Sequence, residues 1–217
     1  MIVAIYTAAG VEVALDAGER RASLASEGGA LESIVDLIEQ NLLALGASLK
    51  EITAVAVCTG PGSFTGLRIG VSFAKSFAQA RALPIVGISS YDVAGFGIAA
   101  RPLIAVARGK PDYYYGRILT AESSPRFVQG DRAALEQAAN EFVPAAVLAG
   151  PDFTVKKSGE AALALASLAR QAFERQPQRW TDIAIDYGQR PNAEVNWERR
   201  QARAAGGPEV LPRESST

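Results

Sequence analysis

Gly60, Gly62 and Gly66 crowd one short stretch that also carries Pro61, the hydroxyls of Ser63 and Thr65, and the guanidinium of Arg68. Glycines reach backbone angles closed to other residues, Pro61 stiffens the turn, and Ser63 or Thr65 can cap a helix that follows. A strand, a turn of this kind and a helix together aim free N–H groups at one point, which makes an anion site. The stretch is not a P-loop, because Gly66-Leu67-Arg68 offers neither the lysine nor the magnesium-binding hydroxyl at the required spacing. Nor do the glycines have the spacing of a dinucleotide fingerprint. The residues alone leave a purely structural turn and a phosphate-contacting loop equally open, and a solvated Arg68 is the ordinary alternative to an anion-binding one.

Other chemistry is narrowed by what the chain lacks. With no histidine among 217 residues, there is no imidazole base, no serine–histidine or cysteine–histidine pair and no His-ligated metal. Cys58, the one cysteine, sits in an apolar run and reads as a buried core thiol in a reducing compartment. The 22 Lys and Arg nearly cancel 23 Asp and Glu, so a strongly basic nucleic-acid surface is not expected, and any RNA must be held mainly by something else. No apolar run approaches the roughly 20 residues of a membrane span, and the first residues read as a strand, not a leader; a cytoplasmic protein is expected.

The elements that position these groups follow from periodicity. Strands are expected at 2–6, 11–15 and 21–25, then a helix in which Leu31, Ile34, Val35, Ile38, Leu42 and Leu45 recur at three- and four-residue steps until Gly46 ends it. Ser48 and Glu51 have capping-box spacing. A strand at 53–58 runs into the glycine-rich turn, a helix covers 65–82, a strand 84–88 and a short helix 91–99. Beyond Arg101-Pro102 the plan repeats, with strands at 103–107, 113–119 and 126–129, a helix at 132–142, a strand at 145–149 and an Ala/Leu-rich helix at 160–174. Two strand-strand-strand-helix-strand-helix units make an α/β protein of two similar lobes, 1–100 and 101–202, with 203–217 as a mobile tail. Such a duplication suggests a two-lobed actin-like (RNase H-like) architecture.

As a string, Gly60-Pro61-Gly62-Ser63-Phe64-Thr65-Gly66-Leu67-Arg68-Ile69-Gly70, followed by Leu83-Pro84-Ile85-Val86-Gly87-Ile88-Ser89-Ser90, resembles the signature of the TsaB (YeaZ) family. Ala107-Arg108 and Tyr113-Tyr114-Tyr115-Gly116-Arg117 resemble a further segment of that family. The resemblance is strong from Leu31 to Ile118 and thin beyond. It implies an actin-like fold and a non-catalytic accessory subunit of the machinery that places threonylcarbamoyl on the adenosine beside the tRNA anticodon. It further implies a heterodimer with a TsaD-like catalytic subunit, a TsaE-like ATPase joining the assembly, tRNA reached only through the complex, and no cofactor or metal of its own.

Family pairing through helices of the first lobe points here to Leu31, Ile34, Val35, Ile38, Leu42, Leu45, Phe73 and Phe77. The same face could form a homodimer when the partner is absent. Gly60, Gly62, Ser63, Thr65, Gly66 and Arg68 remain the candidates for a nucleotide or phosphate loop. The chain departs from the family where Tyr6-Thr7-Ala8 replaces Asp-Thr-Ser and where Val106 replaces a second acidic residue. Losing both carboxylates removes the expected ligands of a metal–nucleotide complex. The competing reading is an actin-like ATPase or small-molecule kinase drawing on Asp16 or Asp112; a glycoprotease-type metallopeptidase is disfavoured by the missing histidine.

Overall fold

The computed structural model describes residues 1–121, 126–153, 159–175 and 178–188. The proposed tail at 203–217 lies outside them. Among the described residues nine strands and five α-helices follow in the order anticipated: β1 (Ile2–Tyr6), β2 (Val11–Asp16), β3 (Arg21–Ser26), α1 (Ala30–Leu45), β4 (Ala54–Gly60), α2 (Phe64–Ala80), β5 (Ile85–Ser89), α3 (Ser90–Gly95), β6 (Leu103–Arg108), β7 (Tyr114–Leu119), β8 (Arg126–Gly130), α4 (Arg132–Asn140), β9 (Val147–Ala149) and α5 (Glu160–Arg175). Gly46 ends α1 in the left-handed region at φ 57°, where its N–H satisfies the last carbonyls of the helix. Ser48 and Glu51 form the capping box of a short 3₁₀ turn.

The first sheet runs β3-β2-β1-β4-β5 and the second β8-β7-β6-β9. Each has an antiparallel meander whose first strand pairs in parallel with the strand after the next helix. The strand order is therefore repeated, as an actin-like fold requires. On one face of the first sheet α1 and α2 cover Val3, Ile5, Val13, Val55 and Val57. Its other face carries Ala4, Ala14, Ala56 and Cys58 against α5. The second sheet turns Ala105 and Ala107 toward Tyr91 and Ala94 of α3, and Ile104 and Val106 toward Leu135 and Ala138 of α4. Helices α3 and α5 thus fill one layer between the two sheets.

One equivalence differs from the sequence reading. By order alone α5 is the second unit's counterpart of α2; by packing it is the counterpart of α3, because it lies between the sheets. Among the described residues the second unit accordingly has no strand matching β5. Composition explains the placement: Ala161, Ala162, Ala164, Leu165, Ala166 and Ala169 are buried, and their small side chains let α5 sit close to both the first sheet and α3, while Arg170, Gln171 and Glu174 stay exposed. A polar clamp fixes it. Asp16 at the end of β2, with a side chain fully buried, accepts from Arg170 of α5, and Arg21 lies 3.3 Å away. The Gly18 N–H bonds the same oxygen at 2.7 Å. Arg170→Ala is expected to lower the unfolding free energy by about 2 kcal/mol, below the usual cost of breaking a buried pair because Arg21 and Gly18 remain; urea titration measures it.

Cys58 is buried where the sequence places it. Burial pushes its thiol from an ordinary 9.0 up to about 11, against a smaller opposing contribution from its contact with Ser90. Because the folded state disfavours the thiolate, this stabilisation is complete below pH 9.0, the unfolded value, and is lost as pH rises toward about 11. Between pH 9 and 10 the stability of the wild type should fall more steeply than that of Cys58→Ala; parallel slopes in urea titrations would contradict this. No described helix is long and apolar enough to cross a membrane.

Candidate functional site

The glycine-rich turn lies where β1, β4 and α2 meet. Gly60 holds φ 106° at the end of β4, an angle that favours glycine. Ser63 caps α2 by accepting the Gly66 N–H at 3.2 Å, and the Ser63 N–H is spent on Ala8 O at 2.7 Å. The next glycines are explained by contact, not by torsion. A Cβ on Gly62 would meet Ala8 O at 2.6 Å; one on Gly66 would collide with the backbone oxygen of Thr7, and one on Gly70 with the Thr7 side chain. Gly62, Gly66 and Gly70, spaced by four, form the face on which the start of α2 presses against the end of β1. Thr65 and Arg68 point outward, Arg68 with its guanidinium 5.4 Å from the centre of the exposed Phe64 ring.

Next to this turn a cleft opens between the β1–β2 turn and the β6–β7 turn, a cavity of about 630 Å³ that includes Ala9, Gly10, Ser63, Arg108, Lys110 and Asp152. Of the four charged residues that line it, two are committed to each other. Arg108 pairs with Asp152 at 3.3 Å, and the Tyr114 hydroxyl donates to the same carboxylate at 3.1 Å. Glu12 accepts the Ala162 N–H at 3.0 Å, an acid placed on the first turn of α5. Tyr6, at the position where the resemblance anticipates an aspartate, is buried on the floor of an adjoining 240 Å³ pocket. Burial, then Cys58 and Glu12, push its hydroxyl far above the ordinary tyrosine range, so it is a neutral phenol. Val106 faces the α4 core and contributes nothing to the cleft.

The two acids of the ATPase reading fare differently. Asp16 is consumed by Arg170 and Arg21 and cannot meet a ligand. Asp112 stands exposed at φ 54° in the β6–β7 turn. Among the described residues no three His, Cys, Asp or Glu side chains gather as a metal site would require.

The candidate partner residues separate by burial. Ile34, Ile38 and Leu42 are 1%, 3% and 7% exposed and pack against their own sheet, which removes them from any surface a partner could touch. Leu45 is partly buried against the same core. Leu31 and Val35 are open, at 75% and 48%, and so is Leu43 at 83%, a residue the sequence reading missed. Phe73 and Phe77 of α2 are partly buried and stack on each other with ring centres 5.9 Å apart. Exposed Glu32 and Asp36 lie beside these apolar residues, exposed Glu39 falls between Val35 and Leu43 at four-residue steps, and the helix carries no base. The surface is therefore an apolar stripe with an acidic border.

Comparison with known proteins places this geometry. Residues 28–172, more than half of the chain, match the family described as TsaD: tRNA N6-adenosine threonylcarbamoyltransferase. The tRNA threonylcarbamoyladenosine biosynthesis protein TsaB of Escherichia coli (strain K12) is 41% identical over 59 residues, 27% of this chain and 26% of that protein. A tRNA N6-adenosine threonylcarbamoyltransferase of Trichlorobacter lovleyi is 44% identical over 69 residues, 30% of this chain and 20% of that one. The chain thus matches about a quarter or less of the length of these curated relatives. Among solved structures, YeaZ from Pseudomonas aeruginosa superposes with a TM-score of 0.64 at 20% identity, over 86% of this chain and 98% of that one, which establishes a shared fold. The chain belongs to the TsaD (tRNA N6-adenosine threonylcarbamoyltransferase) family, and within it resembles TsaB (YeaZ).

Proposed function

We propose that the chain is an accessory subunit in the biosynthesis of threonylcarbamoyladenosine in tRNA, pairing through the outer face of α1 and α2 with a TsaD-like subunit that performs the transfer. The observation that carries this reading is the apolar stripe of Leu31, Val35 and Leu43, left open on a helix whose other large apolar residues are buried or partly buried at home. An exposed stripe of that kind is what a partner covers. Its acidic border calls for a partner face with Lys or Arg around an apolar centre. Two copies of α1 brought together would oppose Glu32, Asp36 and Glu39 to themselves, so a homodimer is the weaker arrangement at low salt.

The commitment of Asp152 to Arg108, of Glu12 to α5 and of Asp16 to Arg170 supports a role without metal–nucleotide chemistry in this subunit. A TsaE-like ATPase joins the pair, and transfer takes place on the TsaD-like side. Two measurements test the reading together: co-purification with a TsaD-like subunit from the same genome, and the threonylcarbamoyladenosine content of tRNA in a bacterial strain lacking its TsaB-like gene and expressing the pair. Restoration together with co-purification is the expected result. Absence of both, or magnesium-dependent ATP turnover by the isolated chain, would overturn it.

A further inference from the structure

Beside the glycine-rich turn, three segments distant in sequence bring four aromatic rings around one opening. Phe64 comes from the start of α2, Tyr113 and Tyr115 from the β6–β7 hairpin, and Tyr187 from the segment after α5. Phe64 and Tyr187 lie 5.0 Å apart with planes tilted by 33°, and form one wall. The partly exposed Tyr113 forms the other; it meets edge to face, at 5.5 Å, the ring of Tyr115, which is only 6% exposed and holds Tyr113 in place from behind. The cavity between them, about 500 Å³, is of the size that holds a small planar ligand, and no carboxylate among the described residues lines it. Two cations rest on its rings: Lys110 Nζ sits 5.4 Å from the centre of Tyr113, and the Arg68 guanidinium 5.4 Å from the centre of Phe64. Neither has a carboxylate partner among the described residues.

Rings on which a base can lie, with unpaired cations at their rim, are the parts of a single-strand nucleic-acid site: the rings take π-faces and the cations take phosphates. We infer that this cradle binds an unstacked nucleotide of single-stranded RNA, with the base between the two aromatic walls and its flanking phosphates on Lys110 and Arg68. The opening shares Ser63, Gly109 and Lys110 with the cleft, so the two cavities adjoin; the cleft side also carries exposed Asp112, and Asp152 paired with Arg108. A strand can run out of such an open cavity, whereas a free mononucleotide is normally enclosed. The near-neutral composition agrees with a contact of one or two nucleotides and not a broad basic surface. The choice of RNA over single-stranded DNA rests on the function proposed above; the stacking geometry does not.

The test is a fluorescence-anisotropy titration of the full chain with a fluorescein-labelled ten-nucleotide oligoadenylate RNA at several salt concentrations. A hairpin RNA with all its bases paired or capped, and unlabelled AMP as competitor, are run alongside. Binding of the single strand at 50 mM salt, at least tenfold tighter than the hairpin, is expected. Phe64→Ala and Tyr113→Ala should each weaken it about tenfold. Lys110→Gln should reduce the slope of log K against log salt by roughly 0.7. Circular dichroism confirms that each variant is folded, and Tyr113→Phe should retain binding. Equal affinity for the hairpin, wild-type affinity in both alanine variants, no binding by the wild type, or displacement by AMP as efficient per molecule as by the oligomer would each overturn the proposal. Val35→Arg separates it from the accessory role: loss of partner capture with RNA binding retained supports both, whereas partner capture by a wild-type chain that ignores the oligomer removes the cradle alone.

Discussion

Val35→Arg is expected to weaken capture of a TsaD-like subunit by about 100-fold or more, while the urea midpoint of the isolated chain hardly moves. Val35 is half exposed on α1, so a guanidinium there stays in water in the free protein. It can also pair with Glu39 one turn on, an arrangement worth a few tenths of a kcal/mol. In the complex the same group would be taken out of water at the centre of an apolar contact. A partner face made basic to suit Glu32, Asp36 and Glu39 would repel it as well, so desolvation and repulsion act in the same direction. Ile38→Arg looks similar in sequence but tests something else. Ile38 is 3% exposed in the core of the first sheet, and a charge there costs several kcal/mol of folding. Calorimetric titration of the partner into each folded variant decides the matter; an unchanged Kd for Val35→Arg would remove α1 from the interface.

The contrast between Val35 and Ile38 marks the limit of what periodicity tells. Six apolar residues at three- and four-residue steps identify α1 and its length, and Gly46 and the Ser48–Glu51 box mark its end, because those signals are local. Which apolar residues stay open depends on how the helix is rolled against β2 and β3, a property of the sheet beneath it. Leu43 escaped notice for the same reason: it stands between Leu42 and Leu45, off the stripe that the sequence suggests. The succession of elements and the repeat as far as β9 were legible because each meander is built from neighbouring segments. The place of α5 was not, since an Ala/Leu-rich helix looks alike whether it covers one sheet or lies between two. The aromatic cradle joins residues 64, 113, 115 and 187, and nothing local in the chain connects them.

The glycine-rich turn shows how two readings of one motif diverge in their consequences. Gly66 lies within α2, and helix propensity alone predicts that Gly66→Ala stabilises the protein by about 1 kcal/mol. If the glycine served only to let an anion approach, that gain would be seen. The new Cβ instead meets the backbone oxygen of Thr7, a buried residue directly after β1, a strand covered on both faces that cannot retreat. Overpacking of this kind costs about 1–3 kcal/mol and more where the obstruction is main chain, so the clash exceeds the propensity gain and a net loss of about 2 kcal/mol or more is expected in urea titration. Gly70→Ala should lose a similar amount, but its obstruction is the Thr7 side chain. Thr7→Ala ought therefore to recover much of the loss in Gly70→Ala and little of that in Gly66→Ala, giving strong coupling in one double-mutant cycle and near additivity in the other. A Gly66→Ala protein as stable as the wild type, or equal coupling in both cycles, would show that close packing is not what the glycines provide. The expected outcome makes them the contact that fixes the end of β1, and with it the rim of the cleft, against α2.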